Sequence, residues 1–348
     1  MHVGRRVFLS GLGGLSLAAL SGGCRREGAR ELALRGAVER VVIPDARAIT
    51  QLSRALHVSL EQLPAAGPLD AVRAAWRSAA VAWQRGGAFQ HGPFFETKAV
   101  LHASFWPVRE QAIATILSAS DAIDAKRVAQ LGVNAKGIFA IEHLLFEEES
   151  PGVPWVLGTA RDRALALVRA YAADVHTQAE RASAALGDGK KFMDEFARGG
   201  QQNLNRLVNE LTRTVEHSVI RIDRVLTTST WRGFSLRDVP GGASGTSTEL
   251  LAASLSVAER VYGEGAKASL AGLAQAVSPA IDTHTTAAFK AARGALAGLG
   301  QQYERLAQSN PAQLTAAKNA LRHLEVVVRS ELASALGVTI TFGSGDGD

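Results

Sequence analysis

From Leu34 onward apolar residues recur every three or four positions, interrupted where Pro and Gly fall, and the pattern predicts about ten helices. The first runs to about Leu63, with Pro44 as a kink or restart. "GPLDAVRAAWRSAAVAWQ" predicts a helix with Pro68 in its first turn and Asp70 at the positive end of its dipole. Val72, Trp76, Ala79, Ala80 and Trp83 form one stripe on it, which is first of all a core signature. "GGAFQHGPFFE" breaks that helix, "SFWPVREQAIATIL" carries another, and a further one spans about Asn134 to Glu147. Two long helices follow, from about Pro154 to Leu186 and from Lys190 to Thr228. Four more are expected over 248–262, 266–276, 279–307 and 311–336. Val338, Ile340 and Phe342 alternate, but one strand makes no sheet, so they read as an extended tail laid against helices.

The fold class is therefore all-α, as two packed helical-bundle lobes. A Gly- and Ser-rich interlobe loop at 229–247 separates an N-terminal lobe, 36–228, from a C-terminal lobe and tail, 248–348. Composition agrees: 47% of the residues are hydrophobic and only 6% aromatic, with Ala, Leu and Arg abundant, all strong helix formers.

The first residues belong to a targeting segment rather than to the fold. Residues 1–23 have a basic start, an uncharged apolar stretch from Val7 to Leu20 and small residues before a cysteine. That stretch is too short to span a bilayer. Arg5 and Arg6, followed by Val7, Phe8 and Leu9, fit the core of a twin-arginine export signal. Cys24 is the only cysteine, so no intramolecular disulfide exists, and "LSGGC" resembles a lipobox in which Cys24 is lipidated. Ser21 stands where a larger aliphatic residue is commoner, so cleavage without lipidation stays open. Residues 24–35 read as a linker. The expectation is an exported protein of the periplasm or cell envelope, anchored to the membrane through Cys24.

Charge narrows the partners. The formal charge of +5 falls to +3 once residues 1–23, with two arginines and no acid, are removed. No basic run with interleaved aromatics marks a nucleic-acid surface, so nucleic acid is excluded as a partner. "GLGGLS" at 11–16 lies in the export signal, "GEGAKAS" at 263–269 lacks phosphate-loop spacing, and no nucleophile elbow is present. No H-E-x-x-H pair occurs, and His176, His217, His284 and His323 read as surface residues.

Glu142 is the anomaly. It sits inside "GIFAIEHLLF", with Phe139 one turn before and Phe146 one turn after, where an ionised carboxylate is costly unless paired. Lys136, Arg109 and His91 are the expected partners. His143 points about a quarter turn from Glu142, so the two share no ligand pocket on a regular helix. The residues alone leave two readings of Glu142 open, a functional carboxylate and a buried lock between helices.

"KGIFAIEHLLF" resembles the G-x-H-x-x-E segment of the imelysin family of bacterial envelope proteins, with Gly137 and Glu142 in matching places. "AAWRSAAVAWQ", the "HGPF" turn with Gly92 and Pro93, and the terminal "LGVTITFGSGDGD" are similar to further family stretches. The resemblance implies two helical halves with the motif at their junction, and exported, often lipidated proteins associated with iron or haem uptake. The family was first named for peptidases, and the chain departs from its motif, because Phe139 stands where the histidine would be and offers a metal nothing. A surviving site would need Glu142 helped from elsewhere. His91, Glu96, Asp346 and Asp348 are the candidates, and Glu142 with His91 and Asp346 forms the expected set for iron or another divalent cation.

The expected binding cleft is lined by Glu142, Phe139, Gly137, Trp76, Trp83, His91 and Arg109. The reading that follows is a non-catalytic ligand-binding or accessory protein for iron or haem acquisition, acting with other envelope uptake components. A metallopeptidase using Glu142 as general base is the alternative, and a purely structural envelope partner is a third.

Overall fold

The chain opens with α1 (Ala29–Ala37) and α2 (Ile43–Glu61), a single rod running through a π-helical stretch at Val38–Val42. Pro44 has no N–H and its ring crowds the carbonyl four residues back, so the helix widens just before it instead of ending. That carbonyl, on Arg40, accepts from Arg260 Nη1 at 3.4 Å. The computed structural model describes residues 28–64, 67–150, 153–232 and 238–341. The export segment, Cys24, Phe342, Asp346 and Asp348 lie outside these, and with them the expectations placed there.

Next come α3 (Asp70–Gly86) and a set of short helices: α4 (Pro93–Glu96), α5 (Ala99–Ser104), α6 (Glu110–Ser118), α7 (Ala125–Gln130) and α8 (Ile138–Phe146). A small antiparallel hairpin, β1 (Glu148–Ser150) with β2 (Val153–Pro154), leads to α9 (Arg161–Leu186), α10 (Lys190–Arg198) and α11 (Gly200–Arg232). The remainder is α12 (Ser247–Tyr262), α13 (Leu270–Val277), α14 (Pro279–Ala297), α15 (Leu306–Ser309), α16 (Pro311–Val326) and α17 (Ala333–Ala335), with π-helical Val327–Leu332 between the last two.

The protein is all-α, as the periodicity implies, but several expected helices are divided. Beyond Ser104, where α5 ends, the segment "SFWPVREQAIATIL" is helical only from Glu110, because Phe105 is extended before Trp106 and Pro107. The expected second long helix breaks at Gly199 and Gly200, the latter at φ +52°, and the expected 279–307 helix breaks at Gly298 to Gly300. The expected first long helix starts at Arg161, not near Pro154, because the hairpin and a 3₁₀ turn at Trp155–Leu157 occupy that stretch.

Both tryptophans of the α3 stripe are fully buried, Trp76 donating to the Ile138 carbonyl at 2.7 Å and Trp83 to Ser53 Oγ at 2.9 Å. α3 packs on α2 and α8, while α9 packs on α2, α5 and α8; α11 packs on α12 and α16, with α14 against α16. α12 also packs on α3 and α1 on α11, so one continuous apolar core runs through both halves. Residues 338–341 extend along α11, where the Asn209 side chain donates to the Thr339 carbonyl and accepts from the Thr341 N–H. No helix among the described residues is long and apolar enough to cross a membrane.

Candidate functional site

α8 starts where its backbone can turn only as glycine. Gly137 lies at φ +92° and ψ −171°, and a Cβ there would stand 2.6 Å from the Ala103 carbonyl oxygen. Gly137→Ala is therefore expected to destabilise the fold by about 3 kcal/mol, combining backbone strain with overpacking. Urea unfolding checks this, and a loss under about 0.5 kcal/mol would show that α8 is not pinned against α5.

From Ile138 to Leu145 every residue of α8 is buried. Arg73 of α3 donates Nε and Nη2 to the Leu145 carbonyl at 3.0 and 2.7 Å, satisfying an orphan acceptor at the helix end. The guanidinium carbons of Arg73 and Arg77 lie 5.2 and 5.1 Å from the centre of the Phe146 ring, which meets Trp76 edge-on. The helix is thus held at both ends by side chains of α3.

Glu142 is 5% exposed, and its partners are backbone groups from the far half of the chain. Its Oε1 accepts from the Ser244 N–H at 3.0 Å and its Oε2 from the Gly241 N–H at 3.2 Å. The "PGGASG" turn that presents these donors has Gly241 at φ +82° and Gly245 at φ +74°. It is tied by Ser244 Oγ to the Gly241 carbonyl at 3.1 Å, by a Ser244–Thr246 hydroxyl contact at 2.7 Å, and by Arg77 donating to the Ser244 carbonyl at 3.1 Å. Successive amides in such a turn make a cradle for negative charge. Burial nevertheless dominates and pushes the Glu142 carboxyl up to about 7, against the opposing pull of Ser244 and Gly241 and with a smaller push from Glu147.

The expected partners of Glu142 are engaged elsewhere. Lys136 is buried against Asp174 at 3.3 Å, and His91 faces Glu210 at 3.2 Å. The Arg109 side chain is exposed while its N–H donates to the Asn134 carbonyl. Of the expected cleft residues the fold brings Glu142 and Phe139 to one cavity, while Gly137 lies before α8, packed against Ala103. Trp76 is a core residue, Trp83 reaches only the edge of a neighbouring cavity, and His91 and Arg109 stand apart. His91 therefore cannot join Glu142 in holding a cation, and Asp346 lies outside the described residues.

A different trio meets there instead. His143 is buried with Nδ1 2.9 Å from Glu147 Oε2, one turn along, and Glu110, the first residue of α6, completes a group whose ligand atoms lie within 4.8 Å of one another. One imidazole and two carboxylates suit a divalent first-row cation. Glu110 and Glu147 also line a cavity of about 30 Å³ with Phe139, Glu142 and Trp106, a volume that admits a water or an ion. Glu110 and Glu147 take part in further polar contacts, so a cation would compete for them. Sequence reasoning missed this trio because α8 is buried all round, so no polar face separates His143 from its apolar neighbours. Gly241 acts through its backbone N–H and Ser244 through its N–H and hydroxyl, and the signal for them was the glycine density of the turn.

A sequence model of the imelysin family matches residues 45–328. Iron-regulated protein A of Synechococcus elongatus is 33% identical over 147 residues, which cover 40% of this chain and 39% of that protein, so the match spans well under half of the relative. Among solved structures, an iron-regulated protein A precursor from Parabacteroides distasonis superposes with a TM-score of 0.75 at 16% identity, covering 91% of this chain and 97% of that one. An imelysin-like protein from Psychrobacter arcticum gives 0.72 at 18% identity, over 90% and 97%. At these identities the two structures establish a shared fold.

Proposed function

This chain belongs to the imelysin family, and from that premise we propose that it is an exported, non-catalytic protein of the cell envelope that binds an iron ion as an accessory to iron acquisition. The Glu110, His143 and Glu147 trio beside the clamped Glu142 carries this reading. Two carboxylates and an imidazole replace, one turn along α8 and across to α6, the ligand that Phe139 fails to provide. The name of the Synechococcus relative, iron-regulated, points in the same direction. Export by the twin-arginine route and anchoring through a lipidated Cys24 belong to the same proposal. The cavity at the trio takes an ion and no macrocycle, so haem would need the groove of about 830 Å³ bounded by Arg77, Arg85, Glu249 and Arg293.

A peptidase mechanism fits this geometry poorly. A general base needs an oxygen aimed at a water, and both Glu142 oxygens face fixed backbone donors.

The test is thermal unfolding of the mature chain under anaerobic conditions with ferrous iron, with magnesium and with haem as separate arms. Ferrous iron at 100 times its dissociation constant should add about 2.7 kcal/mol, and the His143→Gln, Glu147→Gln double variant, still folded, should lose that gain. An unchanged gain in the double variant, or no gain in the wild type, would overturn the assignment.

A further inference from the structure

On the other side of Phe139 lies a second cavity, of about 160 Å³, between α3 and α11. α11 faces it with Arg213, His217 and Arg221, spaced four residues apart on one side of the helix. His217 stands exposed at the mouth, and Arg221 is partly buried inside. Donors outnumber acceptors here. Arg213 has a carboxylate, Glu210 at 2.5 Å, which it shares with His91. Arg221 has none among the described residues. Its partner is a neutral amide: with Gln84 turned so that its oxygen faces donors, that one atom accepts from Nη1 and Nη2 of Arg221 at 3.2 Å and from Ser254 Oγ at 2.8 Å.

The surroundings do not cancel the charge. Tyr303, near Arg221, is fully buried and its hydroxyl is pushed well up by burial, so it stays neutral. Glu216, near His217, pairs with Arg329 at 3.1 Å. Arg224 adds a further cation in the adjoining cavity, its guanidinium carbon 5.9 Å from the Trp106 ring centre, and Asp238 on that cavity's wall has contacts of its own. Burial first, then Arg213 and Arg221, lower the pKa of His217, as expected beside uncompensated positive charge.

We propose that this cavity binds a small oxyanion, a carboxylate or phosphate group, which supplies the anionic acceptor that Arg221 lacks, with Arg213 and His217 at its side. A guanidinium fork matches either group bidentately. Drug-sized pockets run roughly 300–1,000 Å³, so this space takes an anion smaller than a drug-sized ligand, from phosphate up to about the size of citrate. The inference goes beyond the iron reading: it concerns a different cavity and stands or falls without the Glu110, His143 and Glu147 trio.

Calorimetric titration of the metal-free mature chain with sodium phosphate and, separately, sodium citrate, at ionic strength held constant with sodium chloride, tests it. At least one anion should bind saturably with a dissociation constant near or below about 1 mM. Citrate alone would identify a carboxylate ligand, and phosphate alone a phosphate. Arg221→Gln should weaken binding at least tenfold, while Lys290→Gln, exposed on α14, should change it less than twofold. If Arg221→Gln does not fold, Arg213→Gln carries the same comparison. No saturable binding of either anion by folded wild type at about 10 mM, or affinities unchanged in folded arginine variants, would overturn the proposal.

Discussion

Replacing Glu142 with alanine is expected to cost the fold about 2–6 kcal/mol, since it leaves the Gly241 and Ser244 N–H groups buried without an acceptor at roughly 1–3 kcal/mol each. The loss should unfasten the 238–246 turn from α8, so hydrogen exchange at Gly241 and Ser244 should accelerate more than at Trp76. The deficit should also depend on pH, and the direction follows from the raised pKa. A carboxyl near 7 in the native state, against 4.5 when exposed, means that the fold holds this proton more tightly than the unfolded chain does. Its contribution is fully present below about 4.5 and is lost as pH rises through 7, an effect of about 3 kcal/mol at 1.36 per pKa unit. Urea unfolding at pH 5 and pH 8 should show the wild type losing stability over that interval and Glu142→Ala losing less. Parallel curves would mean that Glu142 titrates as an exposed acid does.

Lys136→Met is expected to destabilise by about 3–5 kcal/mol, because it strands a buried carboxylate. Lys136 is 2% exposed and its ammonium lies 3.3 Å from Asp174, whose other oxygen accepts, among the described residues, a single 3.3 Å contact from Gln178. The pair ties the segment leading into α8 to α9. A double variant, Lys136→Met with Asp174→Leu, should recover most of the loss, since exchanging a buried ion pair for apolar groups of similar size is often neutral. Failure of the double variant to recover anything would show that packing around the methylenes of Lys136, not its charge, secures this junction.

Both predictions rest on pairings only partly legible beforehand. The anomaly of Glu142 was plain in the sequence: an acid between two phenylalanines needs a partner. Its partner could not be read, because the donors lie about a hundred residues further along and belong to the backbone, which leaves no side-chain signature. The Gly- and Ser-rich stretch suggested a boundary between lobes. Its second half is buried, Val239 to Gly242 and Ser244 included, and cradles Glu142. His143 illustrates the converse case. Its angular offset from Glu142 on a helical wheel argued against a shared pocket, yet that same offset points it to Glu147 and to Glu110 of a helix no periodicity linked to it.

What the sequence determined by itself was the helical class and the buried tryptophan stripe of α3, and short motifs in it pointed to the family. The class and the stripe follow from local periodicity, which acts within a few residues, and the family follows from motif resemblance. What only the tertiary structure decided was which charges meet: Glu142 with the turn at 241–244, Lys136 with Asp174, His143 with Glu110 and Glu147, and Arg221 with no carboxylate described. Electrostatic pairing depends on distance in space and on the water removed between groups, and neither is written in the order of residues along a chain.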